Sequence, residues 1–266
     1  MTTVDATLLQ PMKFGGSSKG CQTKWFDGQF WYKVDELGYE GFAEVVASRI
    51  ASILNVNLPV CDYTLCNIKL PTRISTGSKS SSFLYCNCKE TTVKRLLQKE
   101  YGANWANDEF PRLDINTRLF LVVQLLQSIN PELVDQLSCL FQFDALIKNG
   151  DRHLNNIVLR IFDDGHTDIM LFDNGDSCTV DITYDYPASM TVEECVAVNS
   201  AKPLFTTFDK QCEMISAYSQ FKLKAISNSL YLSDIKDSVP LWFYDRVCGF
   251  LKHQFLTTFG IELLIS

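Results

Sequence analysis

Two short segments constrain this chain more than any other feature: Asn149-Gly150-Asp151-Arg152-His153-Leu154-Asn155-Asn156 and Phe172-Asp173-Asn174-Gly175. An acid five residues before an amide, with a second acid just past a short hairpin, is a layout suited to phosphoryl transfer. In that chemistry one carboxylate orients an attacking hydroxyl, while the amide and the second carboxylate hold magnesium on the phosphates of ATP. The fold must therefore bring groups from separate chain segments into one small volume. Asp-x-x-x-x-Asn and Asp-x-Gly are each common turn sequences. The signal lies in their combination, flanking a hairpin and preceded by an apolar helical stretch.

On this pattern Asp151 is the candidate for receiving the substrate hydroxyl proton, a role worth about 10²–10⁴-fold in rate. Asn156 and Asp173 offer oxygen ligands of the kind a hard cation such as Mg2+ prefers. Gly175 leaves room beside the phosphates and allows an unusual backbone turn. Upstream, Lys33 closes an expected strand eleven residues before Glu44, on the expected next helix. A strand Lys and a helix Glu form the ion pair that positions ATP phosphates in kinases. Glu40 competes for Lys33, because positions i and i+4 share a helix face; Glu44 is preferred. The stretch Gly15 to Gly20 reads as a flexible loop in which Gly16, Ser17, Ser18 and Lys19 would approach the phosphates through backbone N–H groups and side-chain donors. It is not a Walker motif.

The order of elements fits a two-part architecture. Phe14 to Val34 reads as a hairpin system around an Asp27-Gly28 turn. Tyr39 to Leu54 switches to helical spacing, Val60 to Leu70 reads as a strand, and the Ser-, Gly- and Lys-rich Thr72 to Ser82 reads as an exposed loop. Phe83 to Cys86 reads as a short strand, with a hinge near Leu84 to Glu90. Helices are expected over Asn116 to Ser128, over Glu132 to Ile147 behind Asn130-Pro131, over Lys210 to Leu230 and over Pro240 to Phe259. A second hairpin is expected from Ile157 to Phe172, turning at Asp163-Asp164-Gly165. The fold class is thus α+β: a β-rich lobe with one main helix over 1–88, and a larger, mostly helical lobe over 89–266.

Composition removes several alternatives. A formal net charge of -7 argues against a nucleic-acid binder, since a phosphate backbone calls for a basic face. No apolar run approaches the roughly 20 residues of a membrane span. Residues Met1 to Gln10 show neither a basic nor an apolar signal region, which points to the cytoplasm, although secretion without a cleavable signal stays open. Ten cysteines form no Cys-x-x-Cys or Cys/His quartet, so buried free thiols in a reducing compartment are expected.

Gly150-Asp151-Arg152-His153-Leu154-Asn155-Asn156 and Phe172-Asp173-Asn174-Gly175, with Tyr39 to Arg49 upstream, resemble the HipA-like kinases, a bacterial family related to the phosphatidylinositol kinases. The resemblance implies a bilobed fold and ATP-dependent phosphorylation of protein Ser or Thr. It assigns Lys33 to the ATP phosphates, Glu44 to the supporting pair, Asp151 to catalysis, and Asn156 with Asp173 to magnesium. His153 is expected to be a structural hydrogen-bonding residue. Family members that phosphorylate their own Gly-rich loop make Ser17 and Ser18 candidates for autophosphorylation. The chain begins just before that loop, resembling compact members that act alone or with a small regulatory, antitoxin-like partner. Asn174 stands where ordinary protein kinases carry an aromatic residue, so a Phe-based switch is not expected. A phosphoinositide kinase, a protein AMP-transferase and a catalytically silent binding module are the competing readings.

Overall fold

The structure is a computed structural model that describes residues 1–12, 22–82 and 88–266. The expected Gly/Ser loop, with Gly16, Ser17, Ser18 and Lys19, lies outside the described residues, as do the Phe83 to Cys86 strand and most of the expected hinge.

The first part of the chain builds a six-stranded sheet in the order β1 (Thr2–Asp5), β5 (Tyr63–Lys69), β6 (Ile74–Ser81), β4 (Phe30–Val34), β3 (Lys24–Phe26), β2 (Pro11–Met12). All its neighbours run antiparallel except β1, which pairs in parallel with β5. Strand periodicity divides its side chains between two faces. Tyr63 of β5 joins the main core with helix α1 (Glu40–Ser52), whereas Cys66 and Ile68 join Tyr32, Val34 and Trp25 in a small second core.

Thr72 to Ser82 is not an exposed loop. Most of it forms β6, paired with β5 over Ile74–Ser80 and with β4 over Gly77–Ser81. Its Ser and Gly residues are what the packing needs, because α1 crosses the strand closely. A Cβ on Gly77 would sit 2.1 Å from the Lys33 carbonyl oxygen, and one on Gly41 of α1 would sit 2.6 Å from the Gly77 carbonyl carbon.

The rest is mainly helical. Helices α2 (Val93–Tyr101), α3 (Ile115–Ile129), α4 (Glu132–Ile147), α5 (Val192–Ala197), α6 (Phe208–Ile215) and α7 (Leu241–Phe259) accompany a three-stranded antiparallel sheet, β7 (Cys88–Thr92), β8 (Val158–Phe162) and β9 (Thr167–Met170), on which α2 and α4 pack. Helix α4 is buried on nearly every face, its side chains Leu137, Leu140, Phe141 and Phe143 lying at the centre of the core. Asn130 supports its start, accepting from the Glu132 N–H at 3.1 Å.

The helix expected over Lys210 to Leu230 stops at Ile215. Beyond it Gln142 accepts from Leu223 N–H and donates to the Phe221 carbonyl, while Asn55 brackets Lys222 and Lys224 in the same way. These side chains give the backbone partners outside any helix, which suits an extended path. A short parallel pair, β10 (Ser229–Leu230) with β11 (Leu264–Ile265), joins it to the C-terminus. The eight described cysteines are free.

Candidate active site

The catalytic candidates sit where α4, the hairpin β8–β9 and α1 converge. Helix α4 ends in a left-handed residue, Lys148 (φ 53°). The Asn149 side chain then accepts from the Asp151 N–H at 3.1 Å, the local Asx turn that this residue type favours. His153 N–H donates to the Asp151 carbonyl and Asn156 N–H to the His153 carbonyl, at 2.8 and 2.7 Å, which closes a tight loop. The Asn156 side-chain amide donates back to the Asp151 carbonyl at 3.0 Å. On the other side, Leu171 bridges in parallel to Val60 just before β5, which fixes the segment leading to Asp173.

Arg152, missed as a site residue in the sequence, joins these segments. Its side chain is fully buried, pairs with Asp144 at 3.0 Å, and donates from Nη2 to Asn174 Oδ1 at 2.6 Å. Its Nη1 donates to both the Asn156 and Phe172 carbonyls, at 3.2 and 2.6 Å. One guanidinium group therefore holds Asn156 beside the residue preceding Asp173. Burial pushes the Asp144 carboxyl up, while Arg152 pulls it down. A polar Asp on an otherwise buried helix is the sequence signal that could have found this pair.

Lys33 meets two carboxylates. Its Nζ lies 2.7 Å from Glu44 Oε1 and 2.5 Å from Asp173 Oδ1. Glu44 uses its second oxygen to accept from the Asn174 N–H at 2.8 Å. Glu40 is engaged elsewhere, accepting from the backbone N–H groups of Glu36, Leu37 and Gly38. Burial disfavours the Lys33 charge, but Asp173 and Glu44 outweigh it and hold the ammonium pKa well above its usual value. Burial also opposes the Asp173 charge, yet Lys33, with Lys24 and Arg152, keeps that carboxyl well below the ordinary range. The unusual backbone turn falls at Asp173 (φ 57°), not at Gly175. Gly175 instead permits close packing: a Cβ there would lie 3.3 Å from that of Glu40.

Asp151 Oδ1 accepts from Lys202 Nζ at 2.8 Å, and the same ammonium lies 3.8 Å from Asp176. Burial pushes the Asp176 carboxyl up to about 7, with Lys202 opposing and Asp151, Asp185 and Asp181 reinforcing the shift. Lys202 and Asp176 were not found in the sequence, because Lys202 is 51 residues from Asp151 and no local pattern marks it. Asp151, Asp173, Gly175 and Asp176 line one cavity of about 220 Å3. His153 is tied through its backbone, while its Nδ1 is buried without a partner among the described residues, so its ring does not show the structural hydrogen bonding expected of it.

No family model and no curated protein matches the sequence. Solved structures do. The proinflammatory kinase CtkA of Helicobacter pylori is similar over 97% of this chain and 95% of its own, at a TM-score of 0.56 and 15% identity. HipA of Shewanella oneidensis, solved with HipB and its operator DNA, matches 95% of this chain and 66% of its own at a TM-score of 0.41 and 12% identity. The fold is kinase-like: α+β, with a curled β-sheet lobe and a helical lobe. Among the described residues, no helix is long and apolar enough to cross a membrane.

Proposed function

We propose that the chain is an ATP- and magnesium-dependent protein Ser/Thr kinase of the HipA-like kind, with residues 1–88 holding the nucleotide and 89–266 carrying the catalytic loop. The observation that carries this reading is the shared ammonium of Lys33, 2.7 Å from Glu44 and 2.5 Å from Asp173. A buried strand Lys paired with a helix Glu, beside an acid that takes magnesium, is the arrangement that kinases use to position ATP.

In this reading Lys33 binds the ATP phosphates, and Glu44 fixes its direction. Asp151 accepts the proton of the acceptor hydroxyl as its oxygen bonds to the γ-phosphorus and the bond to the β-bridging oxygen breaks, releasing ADP. The donor set of Asn156 and Asp173, one amide oxygen and one carboxylate, suits magnesium, which when bound neutralises charge on the phosphates. The Gly/Ser loop would cover the nucleotide through Gly16, Ser17, Ser18 and Lys19. A protein substrate and a small regulatory, antitoxin-like partner complete the reading.

Incubation with magnesium and γ-labelled or α-labelled ATP tests it. Wild type should transfer label to protein from the γ position only, and Asp151→Ala and Asp173→Ala should not. Equal labelling in all three, or transfer from the α position, overturns the mechanism.

A further inference from the structure

The catalytic loop borders a second cavity. Asp151 faces the one shared with Asp173, whereas His153, Leu154 and Asn155, next in the same loop, line a larger cavity of about 540 Å3. Its other walls include Lys94 and Arg95 of α2 and the exposed ring of Phe205. Phe205 belongs to the turn closed by the Ala201–Thr206 bridge, and that turn also carries Lys202, the partner of Asp151. The two cavities are therefore joined through one loop and one turn.

The larger cavity is cationic in a chain of net charge -7. Among the described residues, those lining it include Lys94 and Arg95 and no carboxylate. Lys94 donates from Nζ to the Ala106 carbonyl, and burial lowers its pKa. An ammonium group has three donors, so this bond leaves capacity for an anion. Behind the wall, Arg118 lies 5.2 Å over the Phe205 ring, with its buried Nε unpartnered among the described residues. Opposing charges outside the lining are Asp108, which acts on Lys94, and Glu90, on which Arg95 acts.

We infer that this cavity docks an acidic stretch of the protein substrate next to the phosphoacceptor. His153 is two residues from Asp151, and Phe205 three from Lys202. The chain between them spans at most about 7–10 Å, and less where it turns, so the two cavities lie within about three extended peptide residues of each other. The favoured substrate thus carries Asp or Glu within about three residues of the acceptor Ser or Thr. The inference rests on the kinase reading for what happens to the peptide, but not for its binding.

Two fluorescent peptides with the same central Ser, one flanked by Glu and one by Lys, test it by anisotropy and by phosphate transfer. Wild type should bind the Glu peptide at least tenfold more tightly, and Arg95→Glu should remove most of that preference. Lys99→Glu, the same charge change on an exposed residue of α2 that does not line the cavity, should leave it, and melting curves confirm that both variants are folded. Absence of a preference in wild type, equal effects of the two variants, or displacement of the Glu peptide by an oligonucleotide of matched charge overturns the proposal. If binding behaves as expected and neither peptide is phosphorylated, docking stands and the kinase reading fails. Equal binding and equal phosphorylation of both peptides give the reverse.

Discussion

Arg152 Nη2 donates a 2.6 Å hydrogen bond to Asn174 Oδ1, so the residue between Asp173 and Gly175 is tied to the loop that carries Asp151. A phenylalanine ring would offer no such oxygen. Asn174→Leu should leave the buried guanidinium short of one acceptor and cost about 1–3 kcal/mol. Asp144→Ala removes its charge partner and should cost about 3–5 kcal/mol. Urea unfolding measures both, and a smaller loss for Asp144→Ala than for Asn174→Leu would reverse the assigned order.

Lys33→Met should reduce kcat/KM for ATP by roughly 10²–10³-fold, the scale of removing one charged stabilising group from a water-excluded site. Glu44→Gln keeps a hydrogen-bonding side chain and should cost less. Steady-state kinetics at saturating acceptor decide this, and equal losses in the two variants would count against a supporting role for Glu44.

Stability should fall as pH rises through the neutral range. Asp176 is pushed up to about 7 and Asp35 up to about 6, both primarily by burial. An unfolded Asp titrates near 3.9, at about the ordinary value. The folded state therefore binds these protons more tightly, and their contribution is fully present below about 4 and lost through about 6 and about 7. Melting temperatures from pH 5 to 8 should decline, and Asp176→Asn should flatten the upper part. Lys202→Met should move that part to higher pH, because Lys202 holds the Asp176 carboxyl down. An unchanged profile in both variants would remove Asp176 from this account.

Gly77→Ala should be costly for a residue that looks like loop sequence. Its Cβ would lie 2.1 Å from the Lys33 carbonyl oxygen, so β4 or β6 must shift. Overpacking of this kind costs about 1–3 kcal/mol. The displacement acts on the residue bearing the buried ammonium, so kcat should fall along with stability. A variant as stable as wild type would argue that the sheet yields freely there.

Asp151, Asp173, Lys33 and Glu44 were legible because each sits in a short pattern whose spacing has chemical meaning. The helices α1, α3 and α7 were legible from apolar periodicity. Strand β6 was not, since Ser, Thr and Gly leave no alternation to read. It is specified by backbone pairing on both edges and by the close passage of α1. The end of α6 at Ile215 was hidden because Asn55 and Gln142, distant in sequence, take up the following backbone. Lys202 escaped for the same reason, its role being defined by a partner that only the fold supplies, whereas the Arg152 pair left one overlooked signal, the polar Asp144 on an apolar helix.

Glu44 grips the sheet through Lys33 with one oxygen and the Asp173–Gly175 segment through the Asn174 N–H with the other. Helix α1 therefore ties the sheet to the segment that follows β9. Displacing Glu44 would break both grips at once: Lys33 would keep Asp173 at 2.5 Å, while the buried Glu44 carboxylate would lose its cation. One carboxylate thus carries two attachments, so a single substitution at Glu44 loosens the sheet and the Asp173–Gly175 segment together.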